Sequence, residues 1–292
     1  MTTQTSNPER LVPTRRVSFE ESLRDVPRHF AADGDLFNSH LAACMSSVFP
    51  DGEDFFVRSV RHYRDRITDP DLKRQVAGFI GQESVHGREH RALNDRFAEL
   101  GYPTKRMERM ARRSLALRER FLPPISNLAL TAALEHFTAT LAELLLRSEE
   151  ARAEFGDPAV RNLFLWHALE ESEHKAVAFD VYRAVGGSER LRVMTMKLTR
   201  IGFPVAMFVQ MVDSMLHDPA ARDLRALRAS WRRFKRSPLA SREVWRQLRD
   251  YDRPDFHPDD QDTTALTTAW RETLFGDEGS LTGLLAGGSP AA

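Results

Sequence analysis

Asp-Pro stands twice directly ahead of a long stretch whose apolar residues return every three or four positions, at Asp69-Pro70 and at Asp157-Pro158. An aspartate side chain caps exposed helix N–H groups, and proline suits the first helical position because its missing N–H would have no partner there. These starts predict helices over 70–100 and 158–185, ending at Gly101-Tyr102-Pro103 and Gly186-Gly187. Helices are likewise expected over 53–67, after a break at Pro50-Asp51-Gly52, and over 124–153, after Pro123-Pro124. Period-two alternation of β-branched residues does not recur, so the fold class is all-α. Four long helices form two hairpins joined by a crossover, 101–123, that carries a charged helix over 105–121.

Around this centre the pattern predicts short helices within 20–29 and over 36–48. It also predicts helices over 189–217, interrupted at Pro204, and over 220–250. Residues 1–17 are expected to be a disordered arm and the stretch beyond Tyr251 a loose tail. The domain reading is an N-terminal arm (1–35), a helical domain (36–250) and a tail (251–292).

The second and fourth long helices each carry Glu-x-x-His: Glu83-Ser84-Val85-His86 and Glu171-Ser172-Glu173-His174. Residues i and i+3 lie about 60° apart on a helix and about 4.5 Å along it, so both side chains can reach one metal pair. The other two long helices each supply one acid in apolar surroundings, Glu53 beside Phe55-Phe56-Val57 and Glu135 as the sole charged residue between Pro123 and Leu141. A lone carboxylate in such a setting is costly to bury unless it is paired or bound to metal. Glu, Glu-x-x-His, Glu, Glu-x-x-His is the di-iron or di-manganese set of ferritin-like bundles. The expected fold is therefore a ferritin-like four-helix bundle with additional N- and C-terminal helices.

His167 shares a narrow stripe with Glu171 and His174, and is either a seventh ligand or a donor to a carboxylate. His90 lies one turn beyond His86 and reads as facing a ligand or the substrate. Glu170 and Glu173 compete with Glu171 for register, but only Glu171 repeats the spacing of the second helix. Replacing Glu171 is thus expected to abolish metal binding and replacing Glu173 to leave it nearly intact. His136 points about 100° from Glu135 and reads as a non-ligand.

The stretch from about Phe49 to Pro204 resembles a bacterial family called "predicted metal-dependent hydrolase". The resemblance rests on Phe49-Pro50-Asp51-Gly52-Glu53, on Gln82 through His90, on Ala133 through Ala139, and on Trp166 through Asp180. It implies a ferritin-like fold and supports the ligand reading. The His-x-x-x-Glu-x-x-His spacing at His167, Glu171 and His174 is also similar to that of di-iron arylamine N-oxygenases.

Carboxylate and imidazole donors favour two Fe ions, with Mn as the other candidate. The ligand set admits an oxidase or oxygenase acting on a small organic substrate with O2, and an electron donor if an oxygenase. It also admits a metal-dependent hydrolase working through metal-activated water, and iron storage. The first is the leading expectation, by analogy of fold.

Lys+Arg and Asp+Glu both total 42, so no global charge drives nucleic-acid binding. The single cysteine, Cys44, permits no intramolecular disulfide and no cysteine-based metal site. No apolar segment marks the first 30 residues as a secretory signal, and the chain is expected to be soluble and cytoplasmic. The segment 201–216 is apolar and Met-rich, and the next carries Arg222, Arg225, Arg228, Arg232, Arg233, Lys235 and Arg236 against Asp223. The first reads as core, as a pocket wall or as a membrane-surface contact, the second as a solvated face or a site for anionic lipid or an acidic partner. A homodimer is compatible with this surface.

Overall fold

A computed structural model describes residues 10–286. Among them the long helices are α1 (Leu36–Arg61), α2 (Pro70–Glu99), α3 (Thr104–Phe121), α4 (Pro124–Arg147), α6 (Pro158–His174) and α8 (Glu189–Leu216). Shorter ones are α5 (Glu149–Ala153), α7 (Val177–Ala184), α9 (Leu224–Phe234), α10 (Arg242–Asp250) and α11 (Thr264–Phe275). No β-strand forms among the described residues; two isolated bridges join Val17 to Leu285 and Ala31 to Phe155. The chain is an all-α helical bundle.

Both Asp-Pro starts act as read. Asp69 Oδ1 accepts from the amides of Asp71 and Leu72, and Asp157 Oδ1 from those of Ala159 and Val160. Helix α1 packs along α2 and α4 along α6, which gives the two hairpins; α3 crosses over on α1, and α8 lies across α1 and α4. Helix α4 is long and apolar enough to cross a membrane by length and composition, and 72% of its apolar window is buried inside the bundle.

Several boundaries differ from expectation. Helix α1 runs unbroken through Pro50, and α8 through Pro204. Proline in a helix interior removes one N–H and crowds the carbonyl four residues back. In α1 that carbonyl, Ser46 O, accepts instead from Asn94 Nδ2 at 3.0 Å, so the freed acceptor is satisfied from α2. The segment 20–25 is a run of turns rather than a helix. Lys175 and Ala176 separate α6 from α7, and 220–250 divides into α9, α10 and two short 3-10 turns.

The arm and tail also depart from expectation. Residues 1–9 and 287–292 lie outside the described residues, but Arg15, Val17 and Phe19 are buried. The arm crosses α2 where a side chain would block it: a Cβ on Gly78 would lie 2.1 Å from Val12 O, and one on Gly81 2.0 Å from Thr14 Oγ1. Beyond Tyr251, α11 packs on α6, and Trp270 Nε1 donates to Leu146 O. The chain ends clasp each other through Ser18 N to Leu284 O and Ala286 N to Arg16 O. Apolar burial of Leu274 and Leu281 holds the tail down.

Candidate metal centre

Glu53 on α1, Glu83 and His86 on α2, Glu135 on α4, and His167, Glu171 and His174 on α6 converge in the middle of the bundle, all buried. Two groups of three could each hold an ion: Glu53, His86 and His167, and Glu83, Glu171 and His174. Glu171 Oε1 joins them. It lies 2.9 Å from His167 Nε2, 3.5 Å from His174 Nε2 and 3.7 Å from His86 Nδ1. Glu135 Oε2 sits 3.4 Å from His174 Nε2, and Glu53 Oε1 3.8 Å from His167 Nε2.

Both carboxylate oxygens of Glu53, Glu83 and Glu135, together with His86 Nδ1 and His174 Nε2, are buried and have no partner outside the cluster; within it His174 Nε2 lies 3.0 Å from Glu83 Oε1. Buried polar atoms are almost always satisfied, because an unpaired one costs about 1–3 kcal/mol. Here eight orphans face one another.

The electrostatics reflect the crowding. Burial, then the negative charge of Glu83 and Glu171, holds the Glu53 carboxyl well above the ordinary carboxylate range. Glu135 is raised in the same way by burial and then by Glu171 and Glu83. Burial would also raise Glu171, but His174 and His167 outweigh it and keep that carboxylate ionised. Burial likewise opposes the charge on His174, and Glu171 and Glu135 overcome it, raising His174 well above the usual imidazole value. Burial, with His167 next, pushes His86 down to about 3. The positive charge in the metal-free cluster therefore rests on His174, bound to Glu171, while Glu53 and Glu135 tend to hold protons.

Directional hydrogen bonds hold one nitrogen of each histidine and turn the other toward the cluster. His86 Nε2 lies 3.0 Å from Glu170 Oε2 and donates to it, which leaves Nδ1 free. His174 Nδ1 donates to Gln82 Oε1 at 2.8 Å, so on the neutral ring Nε2 is free. For His167 the assignment runs through four groups. Asn94 Nδ2 donates to Ser46 O and Glu108 Oε1, so Asn94 Oδ1 is the acceptor for Ser46 Oγ. Ser46 Oγ then accepts from His90 Nδ1 and His90 Nε2 accepts from His167 Nδ1 at 2.6 Å, which leaves His167 Nε2, 2.9 Å from Glu171 Oε1, as the nitrogen turned to the cluster. His90 is thus hydrogen-bonded behind His167 and is absent from the cavity wall described below. His136 donates to Gln247 O, away from the cluster.

The sequence reading missed the residue on which the outer bonds converge. Arg15, in the arm taken for disordered, pairs with Glu170 at 2.9 Å and with both oxygens of Glu173 at 2.8 Å. Glu173 also takes Gln82 Nε2 and Arg271 Nε. Arg15 therefore backs His86 through Glu170 and His174 through Glu173 and Gln82. Glu173 faces away from the cluster, as its register implies, yet it is buried rather than solvated. Thr138 was missed as well; its hydroxyl donates to Glu171 Oε2, and its spacing of three from Glu135 was the available signal.

A cavity of about 310 Å³ runs from the cluster toward the surface between α3 and α8. Glu53, His167, Glu171 and Thr138 form its inner end, and Phe49, Phe56, Phe137, Phe203, Leu141 and Met207 its walls. Ser114 and Gln210 are its other polar lining side chains, and no lysine or arginine lines it.

The family described as "predicted metal-dependent hydrolase" matches residues 13–262. The chain belongs to that family. No curated protein and no solved structure matches it. The match extends well beyond the 49–204 stretch on which the resemblance was read, and takes in Arg15, the α3 crossover and α8. The family's description points to metal-dependent hydrolysis rather than to the oxidase or oxygenase expected from ligand spacing.

Proposed function

We propose that this member of the family is a dinuclear metal enzyme in which Glu53, Glu83, His86, Glu135, His167, Glu171 and His174 hold two ions, and that it hydrolyses a small substrate with an apolar body. The observation that carries the reading is the set of inward-facing atoms with no partner outside the cluster, since metal ions satisfy carboxylates and imidazole nitrogens aimed at one point. Carboxylate and imidazole donors without thiolate suit Fe or Mn. Two such ions, when bound, supply a Lewis-acidic pair that polarises a carbonyl and lowers the pKa of water. Glu171, a member of one group whose Oε1 also reaches His167 of the other, would serve both ions, and Thr138 orients it. The phenyl-rich cavity seats an apolar group and excludes bulk water, while Glu53 at its inner end is positioned to take or return a proton.

A second reading, oxidation with O2 and an external electron donor, is favoured by the four-carboxylate, three-histidine set on four helices and by a cavity without a cationic side chain. One comparison separates the two. Protein stripped by chelator is reloaded with Mn, Zn or Fe and assayed with and without O2 against esters and amides of apolar acids. Turnover without O2 is expected. Activity seen with ferrous protein alone, and matched by O2 consumption, would overturn hydrolysis in favour of oxidation.

A further inference from the structure

Helix α8 covers the bundle with one face and leaves the other bare. Leu198, Ile201, Val205, Phe208, Val212 and Leu216 recur at three and four and are all exposed, Leu198 and Ile201 at 68% and Leu216 at 76%. From Ile201 to Leu216 no exposed residue of α8 carries a charge. Across the cavity mouth, α3 presents Met110, Leu117 and Phe121 at helical spacing, Phe121 at 70% exposure. On the other flank α9 adds Leu224 and Trp231, and Phe208, Val212 and Leu216 line one groove with Trp231 and Arg222, so the apolar face is continuous from α8 to α9. An exposed apolar surface of this extent on a folded chain marks an interaction site.

The charges around it are predominantly of one sign. Arg109, Arg113 and Arg120 on α3 and Arg225, Arg228 and Arg232 on α9 are exposed, and none makes an ion pair among the described residues. Helix α9 contains no acid between Leu224 and Phe234. The acids beside the face are engaged, Asp213 with Arg106, Glu119 with Arg58, and Asp223 as the cap that accepts from the Arg225 amide. In a chain with equal numbers of acidic and basic residues, this is a local cationic collar around an apolar stripe.

We propose that the α3–α8–α9 face docks on an anionic lipid bilayer, with the α8 stripe and Trp231 at the acyl–headgroup boundary and the six free guanidinium groups on lipid phosphates. The composition is that of an interfacial surface, apolar on one side with arginine and tryptophan at its edge. Charge selects lipid over a second copy of the chain. A two-fold pairing of this face would set one arginine collar against another, whereas phosphates neutralise it. Met110, Ser114 and Ala206 line the cavity and are exposed in this face, so the mouth opens where the bilayer would lie. On the reading of the site given above, an apolar substrate then passes from the membrane to the metal cluster without crossing water.

The test is flotation of the full chain, both metal-loaded and chelator-stripped, with phosphatidylcholine vesicles with and without phosphatidylglycerol. Binding to the anionic vesicles is expected in both metal states, and little to pure phosphatidylcholine. At ~1 kcal/mol per basic residue, the triple change R225Q/R228Q/R232Q should weaken binding roughly 100-fold. The pair V205E/F208E should abolish it, with helicity and metal content unchanged, since both side chains are exposed. Failure of the wild type to float, or binding that ignores lipid charge, would overturn the proposal. So would a wild-type dimer by light scattering that V205E/F208E converts to monomer, with no vesicle binding; that result gives the face to a second copy. Because flotation does not require metal, its failure leaves the site chemistry untouched, and loss of hydrolysis leaves the docking untouched.

Discussion

Two places among the described residues bring histidine and carboxylate ligand atoms close together, and they differ in what those atoms lack. In the central cluster eight polar atoms have no partner outside the cluster. In the second, His29, His40 and Asp218 also bring three ligand-type atoms close together, yet each is engaged. Asp218 Oδ2 accepts from His29 Nε2 at 2.7 Å and His40 Nε2 at 3.0 Å, Oδ1 takes the amide of Ala220, and Ser214 Oγ fills His40 Nδ1. The Arg28 guanidinium lies 3.4 Å from the same carboxylate, where a metal ion would meet a like charge. Proximity of ligand types is common to both clusters; unmet hydrogen-bonding capacity separates a candidate metal site from a structural post.

The sharpest way to break that contrast is by metal content. Wild type purified without chelator is expected to carry two ions per chain, and Glu171→Ala to carry none, because its carboxylate links the two groups. His40→Ala should keep both ions. Loss of one ion from His40→Ala, measured by elemental analysis of folded protein, would make the second cluster a metal site too.

Thermal unfolding ranks next. Ions at about 100 times their dissociation constant add about 2.7 kcal/mol to the folded state, and Glu135→Ala should show no metal-dependent rise in midpoint. Its metal-free form gains from relieved carboxylate repulsion and loses through a small cavity. Asp218→Asn, by contrast, should cost about 1–3 kcal/mol with and without metal, as expected of a group that only accepts hydrogen bonds. A metal-dependent loss in Asp218→Asn would erase the distinction.

Arg15→Ala and Glu173→Ala act one layer out. Both should weaken metal binding by about 10- to 100-fold without abolishing it, since each leaves the ligands in place but loosens the histidines. Titration of folded protein with Mn checks this, and unchanged affinity in both variants would show that the arm does not serve the centre.

The smallest effect is on pH. Glu53 and Glu135 have raised folded-state values, as does His174, so on deprotonation the unfolded chain releases its protons first. Stability of the metal-free protein should therefore fall as pH rises above about 7. Below that, His86 and His90, both lowered, act in the opposite sense and mask the trend. Bound metal displaces these protons, so the gap between loaded and metal-free midpoints should widen as pH rises; a constant gap would argue against protonated carboxylates in the cluster.

The helices and the seven converging residues were legible because each rests on local signals: caps, prolines, and spacing of three on a helix. Arg15 was not, because a single arginine in a polar arm has no periodicity, and its partners Glu170 and Glu173 read as register competitors until α6 is placed. The tail was misread for a related reason: α11 is amphipathic enough only against α6. Pro50-Asp51-Gly52 was read as a break because propensity alone forbids the interior proline, whereas Asn94, 44 residues on, supplies the donor.

That proline has a consequence for anyone who would make the protein more robust. An interior helical proline costs about 3 kcal/mol, so Pro50→Ala looks like an easy gain. The repaired helix would return a backbone N–H to Ser46 O and compete with the Asn94 amide that now sits there. Asn94 would keep its bond to Glu108 Oε1 but, with one contact fewer, would hold Ser46 Oγ, and through it His90 and His167, less firmly. A flaw in one helix thus steadies a hydrogen-bond wire, and mending it trades a firmly held imidazole for thermal stability.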